Sequence, residues 1–345
     1  MTKLTMKLAK LALPLFAGTL AATAVHAQEY TLNMTHHLSP QAIGHRLFLE
    51  PWAERIAEAS DGRLQINIFP ALQMGGSASD VYSQVRDGVA DIGWTLPGYS
   101  SGLFPITEVF ELPFIAGSAT ATAPALMEFH DLYLQDEWSE VKVLALHMTA
   151  PGGLHTVSTP IRTVDEMQGV RIRAPSAIGL TALEEFGAVP VGMPVPQVYE
   201  ALQRNVMEGA LLPWTIMGPT RLYEVTAYST DLRILASTFV LFMNKGTFEA
   251  LPDDLQQVLE DNSGMELVKQ AGVLWDQDEA DARDRAIEAG VEIIEPSEEE
   301  LAAWHEAAQP VLDSWVAAMD ARGLPGREML GEARALIEKY EDGQQ

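Results

Sequence analysis

The sequence predicts an α/β protein with largely parallel sheets and long C-terminal helices. Runs that read as strands alternate with runs that read as helices through most of the chain, the order that parallel sheets with crossover helices produce. The last 45 residues keep an amphipathic helical period, broken only between Gly323 and Gly326. The length, 345 residues, is enough for about two domains. No Pro-, Gly- or Ser-rich linker separates them, so the chain is expected to cross between the domains more than once.

Residues 30–34 form a short apolar strand, followed by the polar run Thr35-His36-His37-Leu38-Ser39-Pro40. Residues 43–60 have helical periodicity interrupted by Pro51, which predicts a kink or two pieces. Residues 64–69 alternate as a strand that Pro70 closes, and a helix is expected near residues 79–87. Further strands are expected at 90–95, 141–147 and 154–159, the last two flanking Pro151-Gly152-Gly153. Residues 170–173 form a strand that ends at a Pro-Ser turn. A helix, a short apolar strand, a second helix and the strand 210–212 follow it. Strands near 232–235 and 238–244 precede a long helical stretch toward residue 289, which opens on Leu251-Pro252-Asp253-Asp254. After a strand at 291–294, Ser297 and Glu300 have the spacing of a capping box.

The first 27 residues read as a targeting segment. Lys3, Lys7 and Lys10 precede an apolar stretch too short to span a bilayer comfortably, and Val25-His26-Ala27 is a small-residue cleavage site. A mature, exported, soluble chain starting at Gln28 is expected, in the periplasm. The chain has no cysteine, which excludes disulfides and thiolate chemistry. Its formal charge is −26, and the segment to be removed carries three of its 22 basic residues, so nucleic acid is excluded as a partner. The overall field repels anions, so any anion site must be locally positive.

One stretch supplies such a site. Arg173 ends the strand at 170–173, and open sheets bind ligands at strand ends. A planar guanidinium there pairs both oxygens of a carboxylate. Ser176 follows in the turn, as a second donor to the ligand or as the cap of the next helix.

The pieces Gly-Val-Arg-Ile-Arg-Ala-Pro at 169–175, Gly-Ala-Val-Pro-Val at 187–191 and Val-Tyr-Glu-Ala-Leu-Gln at 198–203 resemble the substrate-binding proteins of TRAP transporters, the C4-dicarboxylate-binding (DctP-type) family. Ser-Asp-Gly-Arg-Leu at 60–64, Phe-Pro-Ala-Leu-Gln-Met-Gly-Gly at 69–76 and Phe-Glu-Leu-Pro-Phe at 110–114 extend the resemblance, in order, over nearly the whole mature chain. It implies a two-lobed periplasmic-binding-protein clamshell with the ligand in the cleft between lobes. One lobe would comprise residues 28–150 plus 239–278, the other 151–238 plus 279–340. It also implies a monomer that closes on its ligand, docks on small and large integral-membrane subunits, and uses no cofactor. The family's carboxylate-binding arginine falls on Arg173. Family members for sugar acids or dicarboxylates often carry Asp-Gly-x-Glu-Asn-Pro where this chain has Glu208-Gly209-Ala210-Leu211-Leu212-Pro213, so Leu212 replaces a polar position.

By the same resemblance Trp94 and Trp214 face the cleft. Two indoles and Leu212 suit a flat, apolar ligand body better than a polyol. The expected ligand is therefore an aromatic monocarboxylate of benzoate or mandelate type, with small aliphatic 2-oxo or hydroxy acids and sulfonates as alternatives. Phe239 and Tyr99 are further candidate walls, and His37 and His155 candidate neutral donors. His36 and His37 are adjacent on a strand and face opposite sides, which argues against a metal. Gly98-Tyr99-Ser100-Ser101-Gly102 matches the letters of a hydrolase elbow. That elbow needs strand, sharp turn and helix, whereas Pro97 and Pro105 bracket the motif and no helix follows. Two rival readings remain, a periplasmic serine hydrolase using Ser100 and a ligand sensor that signals to a membrane receptor.

Overall fold

The computed structural model describes residues 28–343; the expected targeting segment lies outside them. The chain folds around two sheets. The first has the strand order β2-β1-β3-β10-β4, built from β1 (Tyr30–His36), β2 (Leu64–Phe69), β3 (Ile92–Thr95), β4 (Val141–Met148) and β10 (Thr238–Asn244). The second has the order β11-β9-β5-β8-β6-β7. Its strands are β5 (Gly152–Thr156), β6 (Arg171–Ala174), β7 (Val189–Gly192), β8 (Gly209–Leu212), β9 (Tyr228–Leu235) and β11 (Glu292–Ile294).

Both sheets are mixed. In each, one strand runs against both neighbours: β10 against β3 and β4, β5 against β8 and β9. The remaining pairings are parallel. The reversal has a topological cause. β5 is the first strand after the chain leaves the first sheet, and β10 is the first after it returns. Each enters its new sheet directly, without a crossover helix to restore the parallel direction.

These two passages touch. The Thr149 N–H donates to the Ser237 carbonyl at 3.0 Å, and the Ser237 N–H donates to the Thr149 hydroxyl oxygen at 2.9 Å.

Helices cover the sheets. Residues 43–59 are helical throughout, a π-helical segment over Gly44–Leu49 running into α1 (Glu50–Ala59), with Pro51 where the winding changes. The next are α2 (Val81–Arg86) and α3 (Ala119–Phe129), then α4 (Ala177–Glu185) and α5 (Val198–Gln203). The later segments are α6 (Lys245–Ala250), α7 (Asp253–Asp261), α8 (Gly264–Glu288), α9 (Glu298–Ala321) and α10 (Gly326–Asp342). The Ser297–Glu300 capping box forms as expected, with the Ser297 N–H donating to the Glu300 carboxylate at 2.7 Å.

α3 has no clear signal in the sequence. It is built of small and apolar residues with Pro124 inside it, so it lacks a polar face.

α8 is a third link between the sheets. Its Asp276 accepts the N–H groups of Ala119 and Thr120 at 2.8 Å each, capping α3 beside the first sheet. Its Glu279, one turn on, accepts those of Trp214 and Thr215 at 2.8 and 2.9 Å, just past the end of β8 in the second sheet. Among the described residues no helix is long and apolar enough to cross a membrane.

Candidate functional site

A cavity lies where the ends of β6 and β8 face the ends of β3 and β10. Its water-accessible space is about 50 Å³, room for a few waters and therefore for a small ligand. Arg173 is the one charged residue lining it; Leu212, Phe239, Tyr99 and His37 are among the others.

β6 delivers Arg173 from between β7 and β8, in register with Val191 and Ala210. Its side chain is only 2% exposed. Nε donates to the Met193 carbonyl at 2.8 Å, and Nη1 donates to the Leu211 carbonyl at 3.2 Å. Two carbonyls from neighbouring chain segments thus aim the fork, yet neither carries a full negative charge. Among the described residues no carboxylate pairs with Arg173. Burial pulls its pKa down, and the Tyr99 phenol beside it pushes back; an arginine so placed still holds its proton. The Tyr99 hydroxyl in turn accepts the Val195 N–H at 3.1 Å.

His37 faces this cation from the end of β1. Burial, and then the charge of Arg173, lower its pKa to about 3, so its ring is neutral. Neither ring nitrogen has a hydrogen-bond partner among the described residues. The ring lies edge-on to Tyr99 at 5.2 Å and parallel to Phe239 at 6.2 Å.

Four expected site residues do not line the cavity. Trp94 is fully buried behind Phe239, stacked on it at 4.3 Å, and its indole N–H donates to His147 Nε2 at 3.0 Å. The sequence shows Trp94 at a strand end but cannot show that β10, over 140 residues later, lays Phe239 across it. Trp214 follows β8, but the turn Trp214–Ile216 presents Thr215 and Ile216 to the cavity while the indole packs edge-on against His155 at 4.6 Å. His155 is a satisfied core residue. Its Nε2 lies 3.0 Å from the Leu212 carbonyl and its Nδ1 2.7 Å from the Ser229 hydroxyl, so Nε2 carries the proton and Nδ1 accepts. Ser176 caps α4, accepting the Gly179 N–H at 3.4 Å, and packs against Gly98 of the first sheet's side.

Trp275 of α8 lines the cavity where the sequence offers no cue. It sits at ordinary core spacing within a long helix. Thr149 and Ser237 of the paired passages also reach the cavity. The Gly98–Gly102 motif forms no hydrolase elbow. A 3-10 turn, Pro97–Tyr99, follows β3, and the next α-helix begins at Ala119. Among the described residues no cluster of His, Asp and Glu could hold a metal.

Comparison with known proteins identifies the family. The family model for bacterial extracellular solute-binding protein, family 7 (DctP), matches residues 34–318. A TRAP solute-binding protein from a marine metagenome, described as specific for aromatic acid ligands and solved with metahydroxyphenylacetate, is 38% identical. That alignment covers 90% of this chain and 99% of that one, with a TM-score of 0.88. A TRAP solute-binding protein from Rhodoferax ferrireducens T118, solved with copurified benzoate, is 35% identical over 92% of this chain and 100% of that one, with a TM-score of 0.89. One from Bordetella bronchiseptica with bound (R)- and (S)-mandelate is 27% identical over 90% and 99%, with a TM-score of 0.84. The chain belongs to the DctP family of bacterial extracellular solute-binding proteins, the substrate-capturing components of TRAP transporters.

Proposed function

We propose that this protein captures a small aromatic monocarboxylate and delivers it to TRAP membrane subunits. The observation that carries the reading is Arg173, a buried cation with no carboxylate partner among the described residues, in a cavity otherwise lined by apolar and neutral polar groups. A buried charge is tolerated when a partner neutralises it, and a ligand carboxylate is that partner. One cation favours one carboxylate. Phe239, Trp275 and Leu212 favour a flat apolar body. The aromatic acids bound by the similar solved proteins support the same class.

On this reading the lobes are residues 28–150 plus 239–278 and 151–238 plus 279–340. The two sheets fall within that division, save for Thr238 at the start of β10. The ligand draws the lobes together by its greater affinity for the closed form, and closure creates the surface the membrane subunits recognise. The protein acts as a periplasmic monomer, released from its targeting segment at Ala27, and performs no catalysis.

A thermal-shift screen over organic acids tests the reading. A ligand at 100 times its Kd adds about 2.7 kcal/mol of stability. Benzoate or mandelate should raise the melting temperature. No shift from any aromatic acid, with a clear shift from pyruvate or a sulfonate, would replace it with the aliphatic-acid or sulfonate alternative.

A further inference from the structure

We infer that Thr149 and Ser237 form a second recognition point in the cavity, and that it selects aromatic acids carrying a ring hydroxyl over the unsubstituted acids. The inference rests on the aromatic-acid reading and narrows it.

The two residues lie on the passages where the chain crosses between sheets, and both line the cavity that holds Arg173. Both are buried, Thr149 at 2% and Ser237 at 9% exposure. Their hydrogen-bonding roles are partly fixed. The Thr149 oxygen already accepts the Ser237 N–H at 2.9 Å, so its hydroxyl proton is left to donate. Among the described residues no other hydrogen bond engages the Thr149 hydroxyl, and none engages that of Ser237, which faces the cavity. One proton in need of an acceptor and one hydroxyl able to do either thus stand side by side. A ligand hydroxyl fits both, accepting from Thr149 while donating to Ser237.

Position and charge agree. Ser237 precedes Phe239 by two residues, so in extended chain both side chains face the same way, about 7 Å apart. That is roughly the length of a substituted benzene ring lying along Phe239. A second carboxylate or an ammonium is disfavoured, because Arg173 is the only charged residue lining the cavity. A site built to hydrogen-bond a hydroxyl discriminates against the ligand lacking it, because its own polar groups are then left unpaired beneath the ligand.

Calorimetry on the mature chain tests this with benzoate and the three monohydroxybenzoates, in wild type and in Ser237→Ala, Thr149→Val and Thr149→Ser. In wild type, at least one hydroxybenzoate should bind about tenfold tighter than benzoate or better. Ser237→Ala and Thr149→Val should shrink that margin to under about threefold, and Thr149→Ser, which keeps the hydroxyl, should preserve it. Because the margin compares ligands within one variant, a general loosening of the crossing cancels. Benzoate within threefold of all three isomers in wild type would overturn the inference while leaving the aromatic-acid reading intact. A margin unchanged in both hydroxyl-removing variants would also overturn it. Binding of none of the four acids would overturn the inference, and binding of neither these nor mandelate would sink both.

Discussion

The two sides of the cavity are built on opposite principles. On the first sheet's side, Trp94, Phe239 and His147 form a stack of nearly parallel rings that carries no charge. Phe239 lies 4.3 Å from Trp94 and 5.5 Å from His147, with interplanar angles of 16° and 5°. On the second sheet's side, a single cation is aimed by backbone carbonyls. The first side holds shape through side chains packed on side chains, so its precision depends on each ring. The second holds a charge through main-chain atoms, so its precision depends on strand register. Substitutions should therefore act differently: in the stack on stability first, at the arginine on affinity first.

The largest effect is expected from Trp94→Ala. Removing a fully buried indole should cost about 3–5 kcal/mol of folding stability, read by denaturant unfolding. Affinity should change mainly through the displaced Phe239. A stability loss under about 1 kcal/mol would mean that the stack is not what holds this wall. Arg173→Ala should reverse the pattern and weaken ligand binding by about 2–5 kcal/mol, roughly 30- to 4,000-fold in Kd by calorimetry. An affinity within threefold of wild type would remove Arg173 from the site.

A smaller effect probes the meeting of the two sides. A Cβ at Gly98 would lie 2.6 Å from the Ser176 Cβ. Gly98→Ala should therefore oppose the close approach of these segments, weakening binding by about 1–3 kcal/mol. On the proposed closing motion this clash opposes closure, so stability without ligand should move less than affinity. Equal losses in both would mean that the contact persists whether or not ligand is bound.

The smallest effect is a pH profile. Burial holds His36, His37 and His147 near pKa 3 and His155 near 4, below the ordinary 6.5. The unfolded chain binds these protons more readily, so stability rises with pH until about 6.5. Burial pushes Glu108 and Glu279 the other way, from 4.5 up to about 8. Their contribution is present below about pH 4.5 and is lost as pH rises toward 8. Burial also lowers His130 and raises Glu111 and Glu137, so five histidines stand against four carboxyls and the maximum falls near pH 6.5. A melting temperature still climbing at pH 8 would contradict the carboxylate half of the balance.

The same contrast explains what the sequence made legible. Arg173 was readable because its strand, its turn and the following helix are contiguous, and a backbone-held charge needs only local register. Leu212 was readable for the same reason. The ring stack was not, because it joins residues of β3, β4 and β10 that only the fold brings together. Trp94 looked like a wall because a strand ends there, and the residue that covers it arrives from far along the chain. Trp275 was hidden inside a regular helix, and Thr149 meets Ser237 across 88 residues. The fold class was legible from the alternation of elements. The direction of β5 and β10 depends on how the chain changes sheets, which periodicity does not record.

One habit of this interior bears on how such proteins change ligands. Arg173 is held by carbonyls, and Glu279, Asp276 and Glu137 are held by main-chain N–H groups. These acidic and basic side chains are thus wired in large part to main-chain atoms rather than to one another. Side chains around the cavity can be exchanged without unhooking the charges behind them. A designer wanting a receptor for a different acid could vary Leu212, Phe239, Trp275, Thr149 and Ser237 as a palette. The anchor and its scaffolding would stay untouched; changes at Leu212, Thr149 and Ser237 would search recognition, while changes at Phe239 and Trp275, which pack in the ring cluster, would be traded against stability.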